Sequence, residues 1–321
     1  MLAYLVRRIA WGAATVVGVL LFLFWLFFLY ADPQDVARRA LGEKAPPEAV
    51  AQWLANHGYD KPAVWNPAAP LDTRLAEHLR RMLGFDFGTS DADDTPIAAR
   101  LRQGIGPTLS VTVPLFALGL PLALAAALLV AFFRETAIDR VGVVACVLAM
   151  SVSILIYILS GQFVLGKLLR WFPISGFDPD PSVLLRFVAL PVVVGLASGL
   201  GSDVRFYRAV FLEESGRDYV RTARAKGAGD ARVMAHHVLP NALIPVLTNV
   251  SLTIPWLFTG SLLLESFFGI PGLGAITVDA IQANDFSTLR VMVYLGSLLF
   301  VLAQIATDVA YTWVDPRVRL G

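Results

Sequence analysis

The sequence predicts an all-α, polytopic membrane protein with six transmembrane helices. Of its 321 residues, 56% are hydrophobic and only 16% are charged, whereas soluble domains carry about 25% charged residues. A helix that spans a bilayer needs roughly 20 apolar residues, and six stretches are of about that length. They cover residues 9–30, 107–133, 141–165, 183–200, 242–264 and 291–313.

The first apolar stretch is predicted to be a retained transmembrane helix. It continues almost without polar residues from position 9 to position 30, whereas the apolar region of a cleavable signal peptide is only about 7 to 15 residues long. We therefore expect residues 1–30 to form an N-terminal transmembrane segment.

The fourth apolar stretch has the weakest signal, because it is short, carries Arg186 near its start and contains Pro191. Charge asymmetry indicates that it nevertheless crosses the bilayer. Short basic loops remain in the cytoplasm, and the basic residues of both termini, of positions 134–140 and of positions 205–232 share one side only if all six stretches cross. The chain is therefore predicted to be a multi-pass protein of the cytoplasmic (inner) membrane with both termini in the cytoplasm.

The long segment between the first two helices, residues 31–105, is predicted to be a small periplasmic insert. Pro46, Pro47 and Glu48 begin one amphipathic pattern and residues 71–83 form another, so two short helices are expected. The remaining residues, 106–321, form a core of five transmembrane helices with a cytoplasmic loop at 203–241. The acidic cluster Asp91, Asp93 and Asp94 is interpreted as a solvated loop, and no metal ligand is assigned.

Several classes of function are disfavoured by the residues themselves. A net charge of +1 gives no global attraction to nucleic acid, and the single Cys146 excludes a disulfide framework within the chain. No Ser/His/Asp, Cys/His or HExxH arrangement indicates an enzyme. Residues 161–168 match GxxxxGK, but Leu168 stands where a phosphate-binding loop needs Ser or Thr, so the match is interpreted as coincidental and no bound cofactor is expected.

The cytoplasmic loop is predicted to contain two short helices joined at a glycine. Asp218 is expected to cap the first helix, which Gly227 ends in the left-handed conformation. Asp230 is expected to cap the second, over residues 231–239, which Pro240 ends. An interfacial basic helix resting on anionic lipid is an alternative interpretation.

A family resemblance distinguishes between these interpretations. Residues 219–227 read YVRTARAKG, and Leu239 and Pro240 follow Gly227 by about a dozen positions. This arrangement resembles the EAA loop of binding-protein-dependent importer permeases, particularly the dipeptide and oligopeptide branch. The similarity continues along nearly the whole chain, in Gly58-Tyr59-Asp60-Lys61-Pro62, Asp86-Phe87-Gly88-Thr89-Ser90, Pro107-Thr108-Leu109-Ser110, Glu265, Pro271-Gly272-Leu273-Gly274 and Asp315-Pro316-Arg317.

The chain departs from the family pattern at three places. Ala31-Asp32-Pro33-Gln34 lacks the usual Pro-Gly-Asp-Pro, Asn284-Asp285-Phe286-Ser287 replaces a typical Arg-Asp-Tyr-Pro, and His237 replaces an Ile. These differences affect the expected solute more than the expected class.

The resemblance implies a permease subunit that forms half of a translocation path for peptides or similar small solutes. It implies three kinds of partner besides the lipid bilayer: a second homologous permease, two ATP-binding-cassette ATPases that use ATP and Mg, and an extracytoplasmic substrate-binding protein. The chain itself would not be an enzyme. The residues implied in ATPase coupling are Tyr219, Arg221, Thr222, Ala223, Arg224, Ala225, Lys226, Gly227, Leu239 and Pro240.

Two acidic residues are candidates for the path or its gate, because a charge at the membrane centre costs on the order of 3 kcal/mol. Glu265 lies at the end of the fifth stretch and Asp308 lies in the sixth. Each has a structural alternative: Glu265 could organise the Gly- and Pro-rich turn that follows it, and Asp308 could pair with a basic residue.

Other functions remain open at this point. An ion-coupled secondary transporter would need midplane ionisable groups or broken helices in two matching halves. A membrane scaffold would explain the basic loop but not a bundle with many prolines. Among importers of the same class, nickel chelates, glutathione and oligosaccharides are alternative cargoes.

Overall fold

The computed structural model describes residues 2–314 except 31, 43, 57, 58, 60, 68 and 70. Gly58, Asp60 and the motif Asp315-Pro316-Arg317 therefore lie outside the described residues. Within the described part, regular structure is helical apart from one isolated β-bridge between Thr89 and Pro96, which confirms the all-α prediction. The helices are α1 Leu2–Phe24, α2 Pro33–Leu41, α3 Pro47–Asn56, α4 Arg74–Leu83, α5 Ile97–Phe132, α6 Ala137–Ser151, α7 Ile154–Gly161, α8 Pro181–Ser215, α9 Asp218–Ala225, α10 Asp230–Val233, α11 Leu239–Thr259, α12 Leu262–Phe268, α13 Leu273–Gln282 and α14 Phe286–Val314.

Three of these helices continue as π-helical segments. Trp25–Tyr30 extends α1, Gln162–Leu168 extends α7, and Met234–Val238 joins α10 to α11. Such wider turns are rare in soluble helices and often mark functional positions.

Five helical stretches are long and apolar enough to cross a bilayer. Two further pairs of helices are apolar enough only when each pair is taken together, and they bend by 89° between α6 and α7 and by 86° between α12 and α13. The described residues thus give five spans, or up to seven, and the predicted count of six is not confirmed. The five are Val6–Tyr30, Ile97–Phe132, Pro181–Ser215, Asp230–Pro255 and Phe286–Val309.

The third predicted stretch, residues 141–165, is not one straight helix. α6 ends at Ser151, and the side chain of Ser153 accepts a hydrogen bond from the backbone N–H of Leu155 at the start of α7. Because a serine cap begins a new helix, the chain can change direction there.

The fifth predicted stretch, residues 242–264, is also interrupted. α11 ends at Thr259, and Gly260 adopts a positive φ of 74°. Ser261 then caps α12 through its side chain. A short polar break therefore separates two helices where the apolar pattern alone suggests one.

The fourth stretch forms a longer helix than predicted. α8 begins at Pro181 behind the cap Asp180, contains Pro191 and continues to Ser215, a length of 35 residues. At 1.5 Å per residue it is about 52 Å long, well beyond the roughly 30 Å of a bilayer core. Residues 203–215, which the sequence places in the cytoplasmic loop, therefore belong to the same continuous helix as the span.

The chain divides into two compact units. The first comprises Met1–Ile105 and Ala275–Ile305, and its insert holds α2, α3 and α4. The last two are the predicted short helices, whereas α2, which begins at Pro33 behind the cap Asp32, was not predicted. In this unit the Nε2 atom of His78 lies 3.2 Å from the carbonyl oxygen of Leu20, which fixes α4 against α1.

The acidic cluster of the insert takes part in structural hydrogen bonds. Asp91 accepts hydrogen bonds from the N–H and the hydroxyl of Ser287 at 2.8 and 2.6 Å. Asp93 accepts one from the hydroxyl of Thr95 at 2.7 Å. In the described residues, no group of three or more His, Cys, Asp or Glu side chains is arranged to hold a metal ion.

The second unit comprises Gly106–Gly274 and Ala306–Leu320. Its core is built on three alanines spaced four residues apart along α5, and small residues at this spacing permit close helix packing. Residues of α8, α9, α10 and α11 pack with them. The buried cluster consists of Ala123, Ala127, Ala131, Val204, Tyr207, Phe211, Val220, Ala223, Val233, Val238, Ala242 and Val246.

Candidate coupling helix and membrane cavity

Helix α9 is the helix that the family resemblance designates for ATPase coupling. Its N-cap is Arg217, whose side chain makes no capping hydrogen bond, and Asp218 is the first helical residue. The prediction that Asp218 caps the helix is therefore wrong. As an acidic residue in the first turn, Asp218 still interacts favourably with the positive end of the helix dipole.

The end of α9 follows the prediction. The N–H of Gly227 donates to the carbonyl of Arg224 at 2.9 Å, and the N–H of Ala228 donates to that of Ala223 at 3.1 Å. Gly227 has a φ of 86°. This pair of hydrogen bonds across a left-handed glycine is the Schellman motif, so the predicted conformation of Gly227 is confirmed.

α9 has one buried and one exposed face. Val220 is completely buried and Ala223 is 8% exposed, and both belong to the core cluster of the second unit. The opposite face is polar, basic and exposed, so the helix presents a fixed surface. The exposed residues of α9 are Asp218, Tyr219, Arg221, Thr222, Arg224 and Ala225, and its C-cap Lys226 is exposed as well.

Tyr219 ties α9 to the end of α8. Its hydroxyl donates a hydrogen bond of 2.6 Å to the Oε2 atom of Glu214. Burial, followed by this hydrogen bond, raises the pKa of Tyr219 above its usual value. The hydroxyl is therefore protonated across the physiological pH range and remains a donor.

The second predicted helix differs from the structure. Gly229 occupies the cap position without a side-chain bond, and Asp230 instead accepts a hydrogen bond from Arg224 Nε at 3.1 Å. Helical structure then continues through the π-helical segment into α11, so the prediction that Pro240 ends this helix is wrong. Pro240 is the second residue of α11, following Leu239.

A cavity of about 210 Å³ lies between α5, α8 and α11 within the second unit. Most of its wall is apolar. Three side chains give it a polar patch: Asp203, Tyr207 and Asn249. The Nδ2 group of Asn249 donates to the hydroxyl of Tyr207 at 3.0 Å.

Asp203 lacks a partner in the described part of the chain. Its side chain makes no hydrogen bond or ion pair there, although a bare carboxylate is disfavoured in a mostly apolar cavity. An ionisable residue on a membrane helix that faces a cavity is a functional candidate. Asp203 was not among the predicted site residues, because the sequence pattern places it in a loop. A signal nevertheless exists: four residues recur every four positions and share one helix face, namely Gly195, Gly199, Asp203 and Tyr207.

Glu265 is fully buried and joins three parts of the second unit. Its Oε1 atom accepts hydrogen bonds from Thr108 Oγ1 at 3.1 Å and from the N–H of Ser261 at 3.3 Å. Its Oε2 atom accepts one from the N–H of Gly274 at 2.7 Å. These contacts fit the alternative in which Glu265 organises the following turn; its role as a gate remains a prediction.

The glycines of this turn leave room for the Glu265 carboxylate. A Cβ atom added at Gly272 would overlap Glu265 Oε2 and Thr108 Oγ1, and one added at Gly274 would lie 2.9 Å from the backbone of Ser261. Thr108 also accepts a hydrogen bond of 2.7 Å from the N–H of Leu273. The Glu265 carboxylate therefore fits only because Gly272 and Gly274 have no side chains.

Asp308 lies in α14 and is 7% exposed. It takes part in at least one interaction with another group, so it is not without a partner. Neither Asp308 nor Glu265 lines the membrane cavity. The structure therefore places these two predicted path residues apart from the polar patch around Asp203.

The GxxxxGK run has a helical conformation. Gly161 ends α7 and the π-helical segment Gln162–Leu168 follows directly, whereas a phosphate-binding loop is an open turn between a strand and a helix. A Cβ atom at Gly161 would lie in the Val194 side chain. The glycine therefore serves close helix packing, in agreement with the interpretation that the match is coincidental.

The chain matches a known protein family along most of its length. Residues 105–320 match the family described as binding-protein-dependent transport system inner membrane component, and residues 1–83 match its N-terminal region. The chain belongs to this family. It is therefore the permease component of a binding-protein-dependent ABC transport system and a multi-pass protein of the inner membrane, and subunits of this family are not themselves catalytic.

Curated relatives match the permease along its whole length. A putative peptide transport system permease protein of Brucella abortus (strain 2308) is 30% identical, with 99% of each chain covered. The glutathione transport system permease protein of Salmonella typhi is also 30% identical, again with 99% of each chain covered.

Proposed function

We propose that this permease forms half of the translocation path of an importer for peptides or similar small solutes. Its relatives include a peptide and a glutathione permease, and glutathione is itself a small peptide. A second homologous permease would complete the path, and a substrate-binding protein on the outer side would deliver the solute. Two ATPase subunits would bind ATP and Mg and supply the energy.

The exposed face of α9 carries the proposal for ATPase coupling. A docking helix must transmit force without bending. α9 is fixed by Val220 and Ala223 in the core, by the hydrogen bond from Tyr219 to α8 and by the Schellman motif at Gly227. Its exposed side chains, among them Arg221 and Lys226, remain available to a partner groove.

Reconstitution tests this function directly. The permease, its partner subunits and the binding protein in liposomes should take up short peptides only when ATP is supplied. Uptake that follows an imposed ion gradient without ATP would support a secondary transporter instead. ATP-driven uptake of nickel chelates or oligosaccharides, but not of peptides, would show that the protein is an importer permease whose solute is not a peptide.

We infer that the insert faces the periplasm and that both termini are cytoplasmic. In a Cys146→Ser background, a cysteine at the exposed position Ala92 should react with a membrane-impermeant maleimide added to intact spheroplasts. A cysteine at Ala225, exposed on α9, should react only after the membrane is permeabilised. The reverse pattern of labelling would exclude this orientation.

The polar patch of the membrane cavity is proposed to contact the ammonium group of the passing solute. A carboxylate without a cationic partner in the described chain can stabilise a cation that enters its cavity. Replacing Asp203 with asparagine should therefore lower uptake of peptides with a free amino terminus about tenfold, equivalent to about 1.4 kcal/mol. Uptake of the same peptides with an acetylated amino terminus should not change.

A matched control for Asp203 lies on the same helix outside the cavity. Glu213→Gln makes the same acid-to-amide change at an exposed position and should leave both uptake rates within about twofold of wild type. If Asp203→Asn lowers uptake of free and acetylated peptides equally, Asp203 has a structural role and does not recognise the ammonium group.

A further inference from the structure

A second cavity lies within the first unit. Its volume is about 350 Å³, and the insert helices and residues 286–290 contribute to its wall. Aromatic rings form one part of the wall, and charged side chains form another. The aromatic residues are Phe27, Phe28, Trp53, Tyr59, Phe87 and Phe286.

Arg74 in this wall has unsatisfied hydrogen-bond donors. Its Nε and Nη1 atoms are buried and have no hydrogen-bond partner in the described part of the chain. The guanidinium carbon lies 5.5 Å from the centre of the Tyr59 ring, a contact with the ring face that leaves those N–H groups unpaired. An unpaired buried donor costs about 1–3 kcal/mol, and more when the group is charged.

The neighbouring carboxylates are engaged elsewhere. Glu77 forms ion pairs with Lys61 at 3.1 Å and with Arg81 at 2.6 Å. Asp91 accepts two hydrogen bonds from Ser287. Neither carboxylate forms a hydrogen bond with the buried Nε and Nη1 atoms of Arg74.

The wall carries charges of both signs: Arg74, Arg81 and Arg290 are basic, and Glu77, Asp86, Asp91 and Asp94 are acidic. Arg290 donates a hydrogen bond of 2.7 Å to Ser287 Oγ, and its guanidinium carbon lies 4.5 Å from the centre of the Phe28 ring. Burial, followed by the charge of Arg290, lowers the pKa of His78 to about 4. His78 is therefore neutral at physiological pH. Two exposed acids, Asp86 and Asp94, also contribute to the lining.

We propose that this cavity binds a small carboxylate with an aromatic or apolar body, whose carboxylate pairs with Arg74. A planar guanidinium matches a carboxylate closely, and the aromatic wall suits an apolar body. Asp86 and Asp94 would repel a dianion and tolerate a ligand with a single negative charge. The ligand class is thus an aromatic or aliphatic monocarboxylate, such as an acylated amino acid or a peptide terminus.

A pair of probes that differ only in charge tests the proposal. N-acetylphenylalanine carries the carboxylate, and N-acetylphenylalaninamide replaces it with a neutral amide. In calorimetric titrations of the assembled transporter in nanodiscs, the acid should bind at least tenfold more tightly than the amide. Because the readout is binding without transport, the result does not depend on the function proposed for the complete transporter.

Two substitutions on α4 assign the binding to this cavity. Arg74→Met should weaken binding of the acid at least tenfold, and Arg74→Lys should restore part of it. Arg80→Met removes an exposed arginine of the same helix that does not line the cavity, and it should leave the affinity unchanged. Absence of acid binding to wild type, equal binding of the amide, or equal effects of the Arg74 and Arg80 substitutions to methionine would overturn the proposal.

Discussion

Replacing Glu265 with leucine should destabilise the permease strongly. The substitution preserves the approximate size of the side chain but leaves the N–H groups of Gly274 and Ser261 without their acceptor. At about 1–3 kcal/mol for each unpaired buried donor, the loss is about 2–6 kcal/mol. We expect the apparent melting temperature of the detergent-solubilised protein to fall by roughly 5 to 15 °C, with lower abundance in the membrane.

Two further variants show whether loss of the Glu265 carboxylate causes the lower stability. Glu265→Gln retains one acceptor but places an amide N–H group opposite other donors, so it should have an intermediate melting temperature. Ser266→Ala removes a neighbouring buried hydroxyl that has no partner in the described structure, and it should be neutral or slightly stabilising. A Glu265→Leu variant as stable as Ser266→Ala would show that the network around Glu265 contributes little.

Gly227→Val should abolish transport while leaving membrane insertion largely intact. Gly227 has a φ of 86°, which a β-branched residue adopts only at a cost of about 1–3 kcal/mol. Space does not limit the substitution, because a Cβ atom at this position would contact nothing within 4 Å. The expected response is a changed helix end at α9 and a misaligned docking face. ATP-driven uptake should fall at least tenfold, with membrane abundance within about twofold of wild type.

Gly229→Val is the matched control for this variant. Gly229 also has open space around its Cα atom, but its φ is −68°, a value that valine adopts freely. Transport by Gly229→Val should therefore remain near the wild-type rate. Wild-type uptake by Gly227→Val with the ATPases bound would disprove the coupling role proposed for this loop.

Local features of the fold were predictable from the sequence. Apolar stretches indicated a polytopic helical protein because burial in lipid requires long runs of apolar residues with internally satisfied backbones. The left-handed end of α9 was predictable because glycine adopts positive φ freely and the basic residues before it favour a helix C-terminus. Both signals depend on residues a few positions apart.

The continuity of helices was harder to predict. The breaks at Ser153 and Ser261 lie within apolar stretches, and the continuation of α8 beyond residue 200 lies within a polar one. Apolar composition indicates which segments are embedded in lipid. The position of a helix cap or a bend depends instead on a single local hydrogen bond, which composition does not reveal. The same limit led to the incorrect ends predicted for the two helices of the loop.

By itself, the sequence determined the all-helical membrane class, the motif that resembles the EAA loop and the conformation of Gly227. Only the tertiary structure decided which polar groups have partners. Thr108 and Glu265 are 157 positions apart in the chain yet share a hydrogen bond. Asp203 and Arg74 look like ordinary loop and insert residues, but both line cavities. In the described chain the Asp203 carboxylate has no hydrogen-bond partner, and neither do the Nε and Nη1 atoms of Arg74. Hydrogen bonding and burial depend on distances in space, and these are set by packing between helices that are remote in sequence.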